Sequence, residues 1–403
     1  MADVTNYIDR LVAELCPDGV EYRPLESLGK RNKGTAITAS KMRSLEPGKK
    51  DLRIFAAGST FVDTDSSNIP AKDILHGPAI IVKSRGYIGF EYYEKSFTHK
   101  NEMWSYTLDS NIVNQKFIYY YLLTQAYYLQ ELARSKSVKL PQLAVKDTDS
   151  LEVPVPPLEI QEAIVEILDK FTNLEAELEA ELEARTLQYE YYRDSLFEAL
   201  DCPRVPLGSF AQLVRGSGMP KTDFSESGVG AIHYGQIYTK FGTATAEVIA
   251  HVPEDKAKKL AVVNPGDVIV ANTSENLEDV CKAVAWVGDS DIVTGGHATV
   301  IKAPEQNAKF ISYYMATGQF NKDKRRHAFG TKVIDVAPKN LAKIEFPVPS
   351  LEEQQRIVDI LDRFDSLTSS LSEGLPAELA ARRSQYEYYR DQLLTFPRKG
   401  ENQ

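Results

Sequence analysis

The fold is decided by a stretch that the chain carries twice. Its first copy reads Leu151-Glu-Val-Pro-Val-Pro-Pro-Leu-Glu-Ile-Gln-Glu-Ala-Ile-Val-Glu-Ile-Leu-Asp-Lys-Phe171. Its second copy, 193 positions later, reads Ile344-Glu-Phe-Pro-Val-Pro-Ser-Leu-Glu-Glu-Gln-Gln-Arg-Ile-Val-Asp-Ile-Leu-Asp-Arg-Phe364. A second motif, Gln188-Tyr-Glu-Tyr-Tyr-Arg-Asp194, recurs as Gln385-Tyr-Glu-Tyr-Tyr-Arg-Asp391 at an offset of 197. Self-similarity at a nearly constant offset indicates a duplicated structural unit.

The difference of four residues between the two offsets lies in a leucine repeat. Leucines stand at positions 174, 178 and 182 in the first copy, and at 367, 371, 375 and 379 in the second. One additional four-residue unit lengthens a helix by about one turn, or roughly 6 Å. We therefore expect the two copies to differ in the length of a helical spacer.

Apolar residues recur with helical periodicity from Leu158 to about Leu200, which predicts one helix of roughly 60 Å. A helix of this length needs a packing partner, and its copy at 351–396 is the obvious one. An isolated charged helix or a generic coiled coil is the alternative interpretation. The run Gly374-Leu-Pro376 interrupts the second copy. Because proline is poorly tolerated inside a helix, it should kink or restart the second helix there.

The two large segments between these helices predict a pair of mixed α+β modules. Phe117-Ile-Tyr-Tyr-Tyr121 matches Phe310-Ile-Ser-Tyr-Tyr314, and Pro24-Leu25 with Gly34 matches Pro206-Leu207 with Gly216. Between these anchors the polar loops diverge, which suits two recognition modules with different targets. The N-terminal segment Tyr7-Ile-Asp-Arg-Leu-Val-Ala-Glu-Leu15 resembles 192–200, the end of the first long helix. The layout is therefore cyclic, in the order helix end, module, helix, module, helix. The patterns predict strands at 78–82, 268–271 and 298–301 and helices at 116–132 and 309–315.

These patterns divide the chain into four segments. Residues 1–153 hold an N-terminal helix and the first recognition domain, 154–203 a central helical spacer, 204–346 the second recognition domain, and 347–403 a C-terminal helical spacer. The predicted fold class is α+β, with two pseudo-repeated domains separated by two long antiparallel helices.

Charge is distributed unevenly along a chain whose formal net charge is −10. Residues 154–204 carry 4 basic and 13 acidic side chains, whereas residues 21–153 carry 19 basic and 15 acidic ones. The large segments can therefore contact phosphates. The chain has 3 cysteines and lacks a signal-like N-terminus or a long apolar run. These features favour a cytoplasmic protein with no membrane association.

Motifs for catalysis are missing from the sequence. It contains no Gly-x-x-x-x-Gly-Lys-Ser/Thr loop, no Gly-x-Gly-x-x-Gly and no Asn/Asp-Pro-Pro-aromatic run. Pro253-Glu-Asp-Lys256 is better explained as a solvated turn than as a nuclease cluster, and the scattered histidines predict no metal site. Basic and amide side chains in the module loops are candidate contacts to phosphates and base edges, although each could also be a solvated surface residue. The candidates are Lys30, Arg31, Lys33, Lys83, Ser84, Arg85, His99, Lys100, Asn101, Arg215, Ser217, Asn272, Thr273, Ser274, His297, Lys324, Arg325 and Arg326.

The repeated tyrosine motif combines aromatic, apolar and charged residues. It either packs the long helices on each other or forms a docking surface for a partner chain, since Tyr and Arg favour interfaces. The candidate docking residues are Tyr189, Tyr191, Tyr192, Arg193, Tyr386, Tyr388, Tyr389 and Arg390.

This layout resembles the specificity subunit of type I restriction–modification enzymes. The resemblance rests on residues 153–161 with 167–171, on their copies 346–354 and 360–364, and on both tyrosine motifs, and it spans almost the whole chain. It implies a non-catalytic subunit with two target-recognition domains and two long conserved helices in a pseudo-twofold arrangement. Each domain would read one half of a bipartite, asymmetric site in double-stranded DNA.

The resemblance also implies partners. Two modification (methyltransferase) subunits would bind the helices, and restriction (translocase) subunits would join them. S-adenosylmethionine, ATP and magnesium would belong to those subunits, so we expect no cofactor on this chain. Two other functions stay open at this point, namely a stand-alone DNA-modifying enzyme and a pure protein-assembly scaffold. Helix length would act as a ruler for the spacing between the half-sites.

Overall fold

The computed structural model describes residues 2–45, 50–137, 139–368 and 374–400. It divides into two compact units, Met1–Ala176 with Ala381–Gln403, and Glu177–Ala380. The division falls inside both long helices. Each unit therefore combines one module with a segment of each long helix. The four predicted segment boundaries describe the order of elements along the chain and stay a prediction.

The first unit contains the first module (residues 21–153), which is built on two four-stranded sheets. In one sheet the strand order is β2-β9-β6-β7, and in the other it is β4-β3-β8-β5, while β1 pairs with β10. The strands are β1 (Tyr22–Pro24), β2 (Gly29–Lys33), β3 (Leu52–Phe55), β4 (Phe61–Thr64), β5 (Leu75–His76), β6 (Ala79–Lys83), β7 (Gly89–Tyr93), β8 (Ser96–His99), β9 (Trp104–Leu108) and β10 (Glu152–Pro154). The helices are α1 (Ala2–Leu15), α2 (Ala39–Arg43), α3 (Gln115–Lys136), α4 (Val145–Asp149) and the start of α5 (Leu158–Glu198).

The second unit contains the second module (residues 204–346) with the same arrangement. Its sheets have the orders β12-β21-β17-β19-β14 and β15-β13-β20-β16, and β11 pairs with β23 and β18 with β22. The strands are β11 (Arg204–Pro206), β12 (Gln212–Arg215), β13 (Val229–Ile232), β14 (Ala244–Thr245), β15 (Ala250–Val252), β16 (Ala261–Val263), β17 (Val268–Ala271), β18 (Thr273–Ser274), β19 (Ala283–Trp286), β20 (Ile292–Thr294), β21 (Ala298–Lys302), β22 (Ile334–Asp335) and β23 (Glu345–Pro347). The helices are α6 (Tyr234–Thr239), α7 (Glu254–Ala257), α8 (Ala308–Met315), α9 (Gly318–Arg325), α10 (Pro338–Leu341), α11 (Leu351–Thr368) and α12 (Gly374–Leu393), which continues into the first unit.

The two modules thus repeat one topology, including regions where the sequences show no match. Strands β2, β9, β6 and β7 correspond to β12, β21, β17 and β19, and β3 pairs in parallel with β8 as β13 does with β20. The added strand β14 is the main difference in the larger sheets. The predicted α+β class and the predicted duplication are confirmed.

The central strand of each module has a continuous apolar sequence because it is buried on both faces. In β6, Ile80 and Val82 belong to the core that contains Phe117, whereas Ala79 and Ile81 belong to the core of the other sheet. The residues of β17 alternate between two cores in the same way. Because successive side chains point to opposite faces, a strand buried on both faces must be apolar at every position.

The predicted long helix is confirmed as α5. In the second copy, α12 is described from Gly374, whose φ is 76°, and Pro376 lies two residues further on. The predicted kink or restart falls partly on residues 369–373, which lie outside the described residues, and it stays a prediction. Leu371 of the leucine repeat lies outside the described residues.

The glutamine of the repeated stretch holds each module to its long helix. Gln161 is fully buried; its Oε1 accepts from the backbone N–H of Asn114 at 2.7 Å, and its Nε2 donates to the carbonyl of Pro156 at 2.7 Å. Gln354 makes the same pair of contacts with Asn307 and Pro349, at 2.9 and 3.0 Å. Asn114 and Asn307 are themselves the N-caps of α3 and α8. One amide thus joins a helix start to the proline turn in both units.

We predict that Gln161→Leu and Gln354→Leu each lower the free energy of unfolding by about 2–4 kcal/mol, since each change leaves buried backbone groups without partners. Urea unfolding of the full chain measures this effect. Gln212→Leu, on an exposed strand position, is the matched control and should change stability little. Equal stabilities for all three variants would contradict the proposed role of the two amides.

Candidate DNA-recognition edges and helix surfaces

The connections that carry most of the candidate DNA contacts leave each large sheet at the same end of its strands. In the first module, the register pairs Lys33 with Trp104 and Lys83 with Gly89. The end of β2, the end of β6 and the start of β9 therefore lie side by side. We call residues 33–35, 83–88 and 99–103 the recognition edge of the first module.

The second module has an equivalent edge. Arg215 pairs with Thr299 and Ala271 with Ala298, so β12, β17 and β21 end or begin together. Residues 215–219, 271–283 and 294–297 form the recognition edge of the second module. Sequence candidates from three separate segments are brought together in each module, which is the geometry that a contact surface requires.

A glycine is required at the same place in both edges. A Cβ on Gly34 would lie 2.2 Å from the carbonyl oxygen of His99, and a Cβ on Gly216 would lie 1.9 Å from that of Gly295. Real Cβ contacts are not this short, so a side chain at either position would push the connections apart. The Gly34–Gly216 anchor in the sequence therefore reflects a close approach of two backbone segments.

Several candidates in the first module are exposed, and others are held in ion pairs. Lys33, Arg85 and Asn101 are exposed on the edge. Lys83 pairs with Glu91 at 2.6 Å and Lys100 with Glu102 at 2.6 Å. The exposed residues are therefore the better candidates for DNA contacts, since the paired cations must give up a partner to reach a phosphate.

Two candidates lie away from this edge. Lys30 is exposed near the opposite end of β2, where it pairs with Thr107. Arg31 contacts Asp149 at 3.2 Å, and this carboxylate also accepts from the hydroxyl of Tyr106 at 2.6 Å. Arg31 thus takes part in an internal polar network.

Burial revises the expectation for two residues of the first module. Ser84 is 1 % exposed and donates to the carbonyl of Glu102 at 2.5 Å. His99 is fully buried, and its Nε2 lies 3.2 Å from the hydroxyl of Ser105. Burial lowers the pKa of the His99 imidazole to about 4, so it is neutral at physiological pH. Both side chains support the edge from inside and do not face solvent.

The second module shows the same division. Arg215, Ser217 and His297 are exposed, Ser274 is half-buried, and Thr273 is buried. Arg215 is also held in an ion pair with Asp335 at 3.5 Å. The φ of His297 is 66°, and its ring centroid lies 5.1 Å from that of Tyr234. Asn272 is fully buried, so its side chain does not face solvent, contrary to the sequence expectation.

The basic run at the end of α9 is split between inside and outside. Arg325 and Arg326 are exposed. Lys324 is only 2 % exposed, and its Nζ donates to the carbonyls of Glu278 and Val280, each at 2.7 Å. Burial also lowers the pKa of Lys324. Lys324 therefore holds a loop of the edge from inside, which the charge pattern alone did not reveal.

One exposed aromatic residue escaped the sequence analysis. Tyr87 is 77 % exposed at the turn between β6 and β7, next to the exposed Arg85. Its position in Lys83-Ser-Arg-Gly-Tyr87, directly after an apolar strand, was the available signal. Tyr87 belongs to the candidate surface of the first module.

The tyrosine motifs contain rings that pack between the long helices, and the docking interpretation stays a prediction. Tyr192 stacks on Phe364 with ring centroids 5.6 Å apart, and Tyr389 stacks on Phe171 at 5.8 Å. Tyr189 is buried, Tyr386 is half-buried, and Arg193 and Arg390 lie over these rings at 5.6 and 5.7 Å. The middle tyrosines, Tyr191 and Tyr388, are instead 69 % and 59 % exposed.

The described residues contain no cluster of His, Cys, Asp and Glu that could hold a metal ion. Nor does this part of the chain contain a helix that is long and apolar enough to cross a membrane.

The repeated α+β module, joined in each unit to segments of the long helices, defines a class of duplicated two-module proteins. A family model described as the type I restriction modification DNA specificity domain matches residues 17–184 and 204–381. The chain belongs to this family, that of the DNA-recognition subunits of type I restriction–modification systems, which are not themselves catalytic.

Curated relatives agree with this assignment. The specificity subunit of a type I restriction enzyme from Escherichia coli is 33 % identical over 330 residues, which cover 77 % of this chain and 78 % of the relative. A putative type I specificity subunit from Haemophilus influenzae is 28 % identical over 295 residues, covering 70 % and 73 %.

Solved structures share the fold. The specificity subunit of a type I restriction–modification system from M. genitalium matches with a TM-score of 0.55 and 16 % identity, covering 93 % of this chain and 96 % of that one. A chain from a study of complex assembly and conformational transition of the type I system matches with a TM-score of 0.56 and 14 % identity, covering 93 % and 97 %.

We predict that the stability of the chain falls between about pH 6.5 and pH 4 because of His99. Its folded pKa lies below its unfolded value, so the unfolded state takes up a proton first as the pH falls. That stability is present above the unfolded pKa and is lost as pH falls toward the folded pKa of about 4. The loss attributable to His99 is about 3 kcal/mol.

Urea unfolding of the wild type and of His99→Gln across this pH range tests the prediction. The difference in unfolding free energy between the two proteins should depend on pH. A constant difference would show that His99 does not stay neutral in the folded chain.

Proposed function

We propose that each module reads one half of a bipartite, asymmetric sequence in double-stranded DNA. The observation that carries this proposal is that the modules share strand order and register but differ in the connections at their recognition edges. A common framework places different side chains at the same location, which suits two readers with different targets. Module 1 offers Lys33, Arg85 and Tyr87 at this edge, whereas module 2 offers Arg215 and His297.

The charges at these edges support contact with DNA. Exposed Arg and Lys side chains can neutralise phosphates, and Arg can also bind the O6 and N7 atoms of guanine. The excess of acidic over basic side chains lies in the helical segment 154–204, which carries 13 acidic and 4 basic side chains, whereas residues 21–153 carry 15 acidic and 19 basic ones. Such a division would direct a polyanion toward the modules and away from the long helices.

The long helices would set the distance between the half-sites and bind the partner subunits. Tyr191 and Tyr388 occupy the same position of the repeated motif, and both are exposed. Two equivalent exposed tyrosines support two equivalent docking sites, and hence two modification (methyltransferase) subunits. Restriction subunits would join this assembly, and S-adenosylmethionine, ATP and magnesium would act on the partner chains.

Long-read methylome sequencing tests the reading function. In a methylation-deficient host that expresses the chain with its modification subunit, we expect one methylated two-part motif. When residues 21–153 are replaced by the module of a relative, one half of the motif should change while the other half stays the same. A module that only bound protein would leave both halves unaltered.

Expression of the chain without the modification subunit is the control for the alternative function, a stand-alone DNA-modifying enzyme. Methylation or cleavage of DNA by the chain alone would overturn the non-catalytic role.

The proposed docking of the modification subunits at the exposed tyrosines leads to a second prediction. We expect Tyr191→Glu with Tyr388→Glu to abolish recruitment of the modification subunit, because each change places a charge in a contact that would otherwise bury an aromatic ring. Each single variant should retain one modification subunit per chain. Mass measurement of the co-purified complexes gives the stoichiometry.

Tyr127→Glu is the matched control, since Tyr127 is 78 % exposed on α3 and lies outside the motif. This variant should assemble like the wild type. Normal recruitment by the double variant would place the docking surface elsewhere.

A further inference from the structure

We infer that one side chain from each module's own helix, Gln130 in the first module and Lys324 in the second, positions the hairpin loop that follows the central strand. Each of these two residues sets the sequence specificity of its own module. This inference rests on the proposed reading function and names the residues that hold the reading surface in shape.

In the first module the loop is 84–88, between β6 and β7. The side-chain amide of Gln130 on α3 contacts it twice: Oε1 accepts from the backbone N–H of Ile88 at 2.8 Å, and Nε2 donates to the carbonyl of Gly86 at 3.3 Å. The φ of Gly86 is 82°. Gln130 therefore binds the backbone of the residues on both sides of Tyr87, which is 77 % exposed.

The helix that carries Gln130 is itself firmly placed. The preceding residue, Leu129, is fully buried, as is Ala133 one turn further on. Because this face of α3 is packed in the core, the amide is presented to the loop from a rigid element. A second segment also supports the loop, since the N–H of Leu143 donates to the carbonyl of Ser84 at 2.9 Å.

In the second module the equivalent connection is 272–282, between β17 and β19, and it includes the short strand β18. The ammonium group of Lys324 on α9 donates to the carbonyls of Glu278 and Val280. The intervening turn leads into Cys281, whose φ is 66°. A non-glycine residue in this region is strained, so the contacts from Lys324 hold the loop in a conformation that it would otherwise leave.

The two side chains occupy corresponding places in the duplicated modules. Gln130 lies 13 residues after Phe117, and Lys324 lies 14 residues after Phe310, its counterpart. In the second module the helix is interrupted between α8 and α9, which suits a shift of one position. Two different chemical groups thus perform the same task for loops of different sequence.

The hydrogen bonds that hold each loop go to its backbone atoms, although the charge of Lys324 also attracts the carboxylates of Asp279 and Glu278. The bases read by a loop could therefore change with its exposed side chains while the same support remains. This separates a positioning residue from a residue that touches DNA.

The test compares Lys324→Met and Gln130→Ala in the full chain, co-expressed with the modification subunit. Each variant should lose discrimination at one half of the methylated motif, and the two variants should affect different halves. We expect a loss of about tenfold to a hundredfold in duplex affinity at the affected half for Lys324→Met, whose bonds are charge-assisted. For Gln130→Ala we expect about fivefold to tenfold.

Lys322→Met and Gln125→Ala are the matched controls, because they make the same changes on the same helices without contacting the loops. Both should read the wild-type motif. Gln130→Glu keeps the acceptor for Ile88 but loses the donor to Gly86, so its effect should be intermediate.

The melting temperature of each variant and its reading of the other half-site are measured together. They distinguish a loss of loop positioning from general unfolding. If Lys324→Met does not fold, Lys324→Gln retains one donor and serves as the second variant. An equal loss at both halves, or wild-type discrimination by both variants, would overturn the inference. Lack of a two-part motif in the wild type would instead contradict the reading function itself.

Discussion

The structure depends on a carboxylate that joins each long helix to its module. Asp169 accepts from the hydroxyl of Tyr120 at 2.6 Å and from the ammonium of Lys116 at 2.8 Å. Asp362 repeats both contacts with Tyr313 and Lys309, at 2.7 and 2.8 Å. A carboxylate between a phenol and a cation is held in a defined direction, because charge-assisted hydrogen bonds are short and directional. The recurring Ile-Leu-Asp motif thereby determines where α3 or α8 lies against its helix.

The aromatic contacts between the long helices pair residues of one sequence copy with residues of the other copy. Phe171, from the first copy, stacks on Tyr389 of the second tyrosine motif, and Phe364 stacks on Tyr192 of the first. In the first unit Glu175 also pairs with Arg383 at 2.6 Å, which fits antiparallel helix segments. Each unit is completed by a segment from the other copy, so the duplication is cyclic in structure as well as in sequence.

The modules combine an unchanging framework with a variable surface. Paired strands and buried alternating side chains leave little freedom for the sheets, since a change of register would turn apolar residues outward. The connections at the recognition edges are free of that constraint. Support from Gln130 and Lys324 gives these connections a defined shape, and the exposed side chains on them can differ between modules.

The sequence by itself determined the duplication and the extent of α5, because these depend on local periodicity and on backbone chemistry. It also located the strands at 268–271 and 298–301, where burial on both faces leaves a continuous apolar run. The recognition edges were partly predictable, since polar and basic loops follow those strands.

Only the tertiary structure decided which candidates face solvent. Lys324, Arg325 and Arg326 look alike in sequence, yet Lys324 alone is buried among backbone carbonyls of a loop more than 40 positions away. His99 and Asn272 are buried for the same reason, namely packing against segments distant in the chain. Burial depends on long-range neighbours, which local patterns do not encode, and so the sequence located the edges while the fold selected the residues that can act there.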